Sequence, residues 1–198
     1  MSTLLKPLQV REELLKRNVR VFTSEEFSRI FHVSTNSIKY FLEKQTDQGL
    51  FLRLKNGVYT LKTDFPSEEE IANALYKPSY ISFEYALAYY GMLPEMPYSI
   101  TSATTKSTRS FSISFVSLSY YTIKQEAYTG YSLIKTATKA FLIADREKAL
   151  VDYLYFVSIG KRTLNDRLIL KDIDKNKLLN YGKLFKRNKL IKIIEDIC

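Results

Sequence analysis

VFTSEEFSRIFHVSTNSIKYFLEKQTDQGLFLRLKNGVYTL, residues 21–61, carries two short helical patterns followed by a tight hairpin. Thr23 suits an N-cap, and Glu26, three residues on, completes a capping box. Phe27, Ile30 and Phe31 then share one face at helical spacing. His32 and Val33 read as a turn, and Ser34 as the next N-cap. Ile38, Phe41 and Leu42 repeat the apolar spacing, so the second helix should pack on the first. Asn36, Tyr40, Glu43 and Asp47 then point away from that seam, flanked by Lys39 and Lys44, and Gly49 ends the helix. Residues 50–55 and 58–61 are strand-like and joined by Asn56-Gly57, a dipeptide that favours a type I′ turn. That order predicts a winged helix-turn-helix.

Such a module reads base edges with residues near the start of its second helix. Here those are Thr35, Asn36, Lys39 and Tyr40. Asn pairs bidentately with adenine, and a Thr methyl touches a thymine methyl. The hydroxyls of Ser34 and Ser37, and the helix start itself, suit phosphate. Lys44 extends the basic face, while Arg53, Lys55 and Asn56 fall on the wing or its tip. Glu43 and Asp47 sit toward the far end, where such a helix leaves the groove. The alternative is a small helical domain that packs only on protein.

At 198 residues the chain accommodates one large or two small domains. A hydrophobic content of 45% reads as globular, and a net charge of +9 favours an acidic partner, nucleic acid or an anionic surface. The single cysteine, Cys198, leaves no internal disulfide framework and, with one histidine, little material for zinc. No metal or other cofactor is expected. No apolar run reaches the ~18 residues of a membrane span, and the N-terminus lacks the apolar segment of a secretory signal. A cytoplasmic protein without membrane association is the expectation.

Residues 4–17 read as a helix behind this module, and residues 19–22 as a short strand paired with the wing. Pro66 and its polar neighbours mark a linker over 62–67. The expected class is therefore α+β: a winged helix-turn-helix domain over 1–65, then a mixed α+β domain over 66–198. In the second part Ser67 caps a helix with Glu68, Glu69 and Glu70 in its first turn, where acids complement the dipole. Ser82 reads as the cap of a second helix over 83–90. Strands are read over 98–105, 111–116, 120–123, 133–138 and 139–143, from β-branched and aromatic residues. Asp145 caps a helix over 146–158, and the lysine-dotted tail reads as two or three short helices. Lys106 and Arg109 fall in the connection 104–110, either as phosphate contacts or as part of a solvated hairpin tip.

No phosphate-binding Gly-rich loop and no G-x-S-x-G elbow occurs, and Glu147 fits a first-turn dipole partner better than a general base. No catalytic residue is assigned, and an enzyme is not expected.

Three stretches carry a resemblance: ALYKPSYISFEYALAYYGMLPE from Ala74, the segment holding Thr101, Ser102, Lys106, Arg109 and Phe111, and ADREKALVDYLY from Ala144. With the N-terminal module they cover nearly the whole chain. Together they resemble the antitoxin of AbiE-type abortive-infection systems, classed as type IV toxin–antitoxin. The third stretch departs from that family at Arg146, where a proline is common. The resemblance implies a negative autoregulator that binds inverted repeats in its own promoter. It also implies a C-terminal domain that counteracts a nucleotidyltransferase-like toxin without a stable complex. The same domain then makes Lys106 and Arg109 candidates for phosphate contact or the antitoxin surface. The competing reading is a transcription regulator whose second half senses a ligand or partner.

Overall fold

The computed structural model describes residues 5–113, 116–137 and 139–197, without the side chains of Thr35 and Asn36. The chain is of mixed α and β content and separates into two compact units, Met1–Leu75 and Tyr76–Cys198. Among the described residues no helix is long and apolar enough to cross a membrane.

The first unit runs α1 (Pro7–Lys16), β1 (Val21–Thr23), α2 (Ser24–Phe31), α3 (Thr35–Asp47), β2 (Phe51–Lys55), β3 (Val58–Leu61) and α4 (Glu68–Leu75). Its sheet has the order β1-β3-β2, antiparallel throughout. Every element that reaches the core contributes an apolar residue to it: Val10 and Leu14 from α1, Phe22, Phe27, Ile38, Leu42, Phe51, Tyr59 and Leu61. The α2–α3 seam forms as the periodicity demands. Phe27, Ile38 and Leu42 are fully buried, with Ile30, Phe31 and Phe41 packed around them. The helix that follows the linker packs with this unit, because Glu70 and Asp64 both pair with Arg20 beside β1.

The β2–β3 turn departs from the type I′ expectation. Only Gly57 takes a left-handed φ, at 74°, and Asn56 does not. The pairing instead shifts register between Arg53 and Lys55, which supplies locally the twist that a I′ turn would have provided.

The second unit runs β4 (Ser79–Ile81), α5 (Phe83–Tyr89), β5 (Ser99–Thr104), β6 (Arg109–Ile113), β7 (Val116–Thr122), a 3-10 turn (Gln125–Ala127), β8 (Tyr131–Lys135), β9 (Ala140–Ala144), α6 (Arg146–Ser158), α7 (Lys175–Leu184) and α8 (Asn188–Ile197). One six-stranded sheet has the order β6-β7-β5-β4-β9-β8. The pairs β5/β7 and β4/β9 are parallel and the others antiparallel. Connection 104–110 is therefore no hairpin: β7 lies between the two strands it joins. Ser114, Phe115 and Thr138, within the strands read from sequence, lie outside the described residues.

Helix α6 is the hub of this unit and packs on α5, α7 and α8. Asp145 caps it as expected, accepting from the Lys148 amide at 2.8 Å. Wrapped on several sides, α6 buries charged residues that periodicity alone would send to solvent. Lys148 and Asp152 have no solvent exposure and pair with each other. The other Asp152 oxygen accepts from Ser82 Oγ at 2.7 Å and Tyr80 Oη at 3.0 Å. Ser82 thus spends its hydroxyl on Asp152 and does not cap α5. Burial pushes the Asp152 carboxyl up and the Lys148 ammonium down, each opposed by the partner's charge.

Two backbone features accompany that core. Phe83 adopts φ 58°, a left-handed conformation that costs an aromatic residue about 1–3 kcal/mol. Its ring is held against Tyr121 and Phe156, both at 5.3 Å, and under the Arg162 guanidinium at 4.8 Å. Gly130, at φ 74°, lies so close to Tyr181 that a Cβ there would meet the ring at 2.7 Å. Tyr181 in turn donates to Asp145 at 2.7 Å, beside the Lys177 ammonium at 3.1 Å.

The buried pair yields two variants with opposite pH behaviour. Lys148→Met leaves Asp152 buried without its counter-charge. The folded state then keeps a proton the unfolded state releases, so stability falls as pH rises above ~4. Asp152→Asn leaves Lys148 alone, the unfolded state binds more protons, and stability rises with pH toward ~10. Each costs about 3–5 kcal/mol where the remaining group is charged. Urea unfolding at pH 5 and pH 9 reads both slopes, and slopes of the same sign would refute the pairing.

Candidate nucleic-acid interface

The capping box read at residue 23 forms in full. The Glu26 amide donates to Thr23 Oγ1 at 3.0 Å, and the Thr23 amide to Glu26 Oε2 at 2.8 Å. Thr23 is also the last residue of β1, so strand and α2 are joined without slack. α2 stops where His32 turns left-handed, at φ 53°. Ser28 Oγ donates to the Val33 carbonyl at 2.8 Å and pins the turn into α3.

Ser34 occupies the N-cap position of α3, but its side chain caps nothing. Its hydroxyl lies 3.1 Å from that of Ser37 instead. The first-turn amides of α3 therefore have no side-chain acceptor from their cap, and a helix start in that state attracts an anion. Beyond it the exposed face carries Ser37, Lys39 and Tyr40, then Glu43, Lys44 and Asp47. The two acids fall in the second half of the helix, so among the described side chains its first turns expose Ser37, Lys39 and Tyr40 and no acid. Tyr40 is 69% exposed, a large ring left in water, with the Lys44 ammonium 6.0 Å from its centroid. Among the described side chains of α3 the buried ones are Ile38, Leu42 and Gln45, none of them an expected contact. The Thr35 and Asn36 side chains, expected to read bases, lie outside the described residues.

The residues expected on the β2–β3 hairpin as contacts divide. Arg53 and Asn56 are exposed, and Arg53 Nη2 donates to Asn56 Oδ1 at 2.5 Å, which stiffens the tip. Lys55 is half-buried, and its ammonium donates to the Leu75 carbonyl at 2.5 Å. There it caps the C-terminal end of α4, as a cation does favourably, and is not presented to a ligand.

In the second unit Lys106 and Arg109 are both exposed and lie over one ring. The Lys106 ammonium is 5.6 Å from the Tyr76 centroid and the Arg109 guanidinium 5.9 Å from it. Arg109 also lies 5.9 Å from the Phe111 ring. Among the described residues neither cation has an acidic partner. The connection that carries them is braced by Thr122 Oγ1 donating to the Lys106 carbonyl at 2.7 Å and by Tyr76 Oη donating to the Ser107 carbonyl at 3.0 Å. Sequence reading found the two cations but not Tyr76, which gathers them from some thirty residues upstream. Only the sheet order brings them together.

Several tail cations are already committed. Lys177 pairs with Glu147 at 2.8 Å, and Arg187 donates to the Ser158 carbonyl at 2.9 Å. Burial pushes the Glu147 carboxyl up, but the Lys177 hydrogen bond and backbone donors hold it below its ordinary value. An ionised carboxylate so held suits an ion pair rather than a general base. Among the described residues no cluster of three or more His, Cys, Asp or Glu is placed to hold a metal ion. No protein-family model matches the sequence, and no curated protein matches it.

The geometry separates two lysines of the first unit that sequence reading grouped together. Lys55→Met should lower stability by about 1 kcal/mol, the worth of a cation at a helix terminus, and leave nucleic-acid affinity unchanged. Lys39→Ala should do the reverse. Thermal melts paired with fluorescence anisotropy on duplex DNA measure both. A large affinity loss for Lys55→Met with an unchanged melt would contradict the assignment.

Proposed function

We propose that the first unit is a winged helix-turn-helix that binds duplex DNA through α3 and the β2–β3 hairpin. The observation that carries this reading is the exposed start of α3, where Ser34, Ser37, Lys39 and Tyr40 surround a helix terminus without a side-chain cap. A pI near 9.4 agrees with a polyanionic partner. Thr35 and Asn36 stand at the positions from which such a helix reads base edges. Lys44, Arg53 and Asn56 supply flanking contacts. The capping box and the pinned Ser28–Val33 turn preorganise the face, so little ordering cost attends binding.

On this reading the chain is a cytoplasmic DNA-binding negative autoregulator, and its second unit is the antitoxin of a type IV toxin–antitoxin system. The support for the antitoxin half is the resemblance of the stretches around residues 74–95, 101–111 and 144–155, with the exposed cations Lys106 and Arg109 as surface candidates. No cofactor takes part. The partners are inverted repeats in the chain's own promoter and a nucleotidyltransferase-like toxin opposed without a stable complex.

Anisotropy with the chain's own upstream DNA tests the first half. Log affinity should fall linearly with log salt at a slope of about −0.9 per phosphate contacted. Lys39→Ala and Asn36→Ala should each cost about 1–3 kcal/mol if they touch bases. Wild-type affinity in both variants would remove α3 as the reading helix. Co-expression with the product of the adjacent open reading frame tests the second half: growth rescue that survives Lys39→Ala would separate antitoxin activity from repression. Operator binding without rescue would leave a regulator whose second unit senses a ligand or partner.

A further inference from the structure

We infer that the open edge of β8 is a self-pairing surface, on which two copies of this chain join antiparallel about Leu133. β8 ends the six-stranded sheet, and among the described residues β9 is its only strand neighbour. The register Tyr131↔Ala144 through Lys135↔Ala140 decides which way its backbone points. At one end of the ladder the Asp145 amide donates to the Gly130 carbonyl at 2.9 Å, and at the other the Thr136 amide donates to the Lys139 carbonyl at 2.8 Å. Both are even-numbered positions of the β8 segment. Hydrogen-bonded and non-hydrogen-bonded pairs alternate along an antiparallel ladder, so Ser132 and Ile134 also face β9. Tyr131, Leu133 and Lys135 therefore direct N–H and C=O outward. Among the described residues no partner takes those groups.

Three outward residues centred on Leu133 form a pattern that a two-fold axis maps onto itself. Paired antiparallel in that register, Leu133 lies opposite Leu133 of the second copy, and Tyr131 opposite Lys135, twice over. All six outward N–H groups then find carbonyls. The side chains agree with the backbone. Leu133 is 58% exposed, an apolar residue on the rim with no cover. Tyr131 lies flat on Tyr80, at 4.5 Å and 15°, and is 36% exposed, so part of its ring stays open to a lysine from the other copy. Lysine on an edge strand ordinarily deters pairing. Here the register sets it against an aromatic ring instead of against its own kind, and the contact is isologous, closing at two copies. This inference stands apart from the DNA reading.

Two experiments on the full chain test it. In sedimentation equilibrium the wild type should pass from monomer toward dimer mass between about 1 μM and about 1 mM, the range of weak association. Leu133→Lys, which sets two ammonium groups face to face, should stay monomeric with an unchanged melt. Residues in a hydrogen-bonded antiparallel pair lie about 5.5 Å apart at Cα, wider at Cβ than a disulfide takes without strain but within reach of the short thiol cross-linker dibromobimane. In a Cys198→Ser background, Leu133→Cys should therefore cross-link with dibromobimane, and Ser132→Cys, whose side chain lies on the other face, should not. A wild type monomeric throughout overturns the inference. So does a dimer indifferent to Leu133→Lys, or equal cross-linking from positions 132 and 133.

Discussion

Phe27 is where the first unit is decided. Its ring meets Phe22 at 5.4 Å, Phe31 at 4.5 Å, Phe41 at 6.0 Å and Phe51 at 6.2 Å. Through Phe22, Phe41 and Phe51 α2 is bound to β1, α3 and β2 at once, with Phe31 packed beside Phe27 on α2 itself. Aromatic side chains bury more area than any others and add directional ring–ring terms, so rotation of α3 about its axis would break several contacts together. With Ile38 and Leu42 held inward, the opposite face of α3 can only be outward. The exposure of Lys39 and Tyr40 is thus a consequence of packing beneath them.

The second unit is organised by a costlier device. Asp152 takes a lysine from its own helix, a tyrosine from β4 and the serine that leads into α5. A buried ion pair adds little net stability over apolar packing. It does discriminate among arrangements, since any slip of α6 against the sheet would strand a carboxylate without donors. The strained Phe83 backbone follows directly after Ser82, and the same packing holds both in place.

What could be read without coordinates follows the range over which each signal acts. Thr23 with Glu26, Asp145 as a cap, Phe27 with Ile38 and Leu42, and the paired β2 and β3 all rest on residues close in sequence, and each formed. The type I′ turn failed because twist is set by the whole hairpin: the shift between Arg53 and Lys55 took up what Asn56 was expected to provide. Lys55 carried a charge typical of a wing and lost that role to a carbonyl twenty residues downstream. Lys148 and Asp152 stand four apart on a helix and resemble any solvated pair, because nothing in their spacing tells how many neighbours α6 has. Tyr76 beneath Lys106 and Arg109 was invisible for the same reason, being a product of strand order.

The vacancy at Gly130 reaches further than one residue. Tyr181 fills the space a side chain there would occupy, and from it the phenol reaches the cap of α6. Any descendant that enlarges position 130 must shrink position 181, and the carboxylate of Asp145 then loses a donor. Drift at the two sites is therefore yoked: they change as a couple or stay as they are, although fifty residues of chain lie between them.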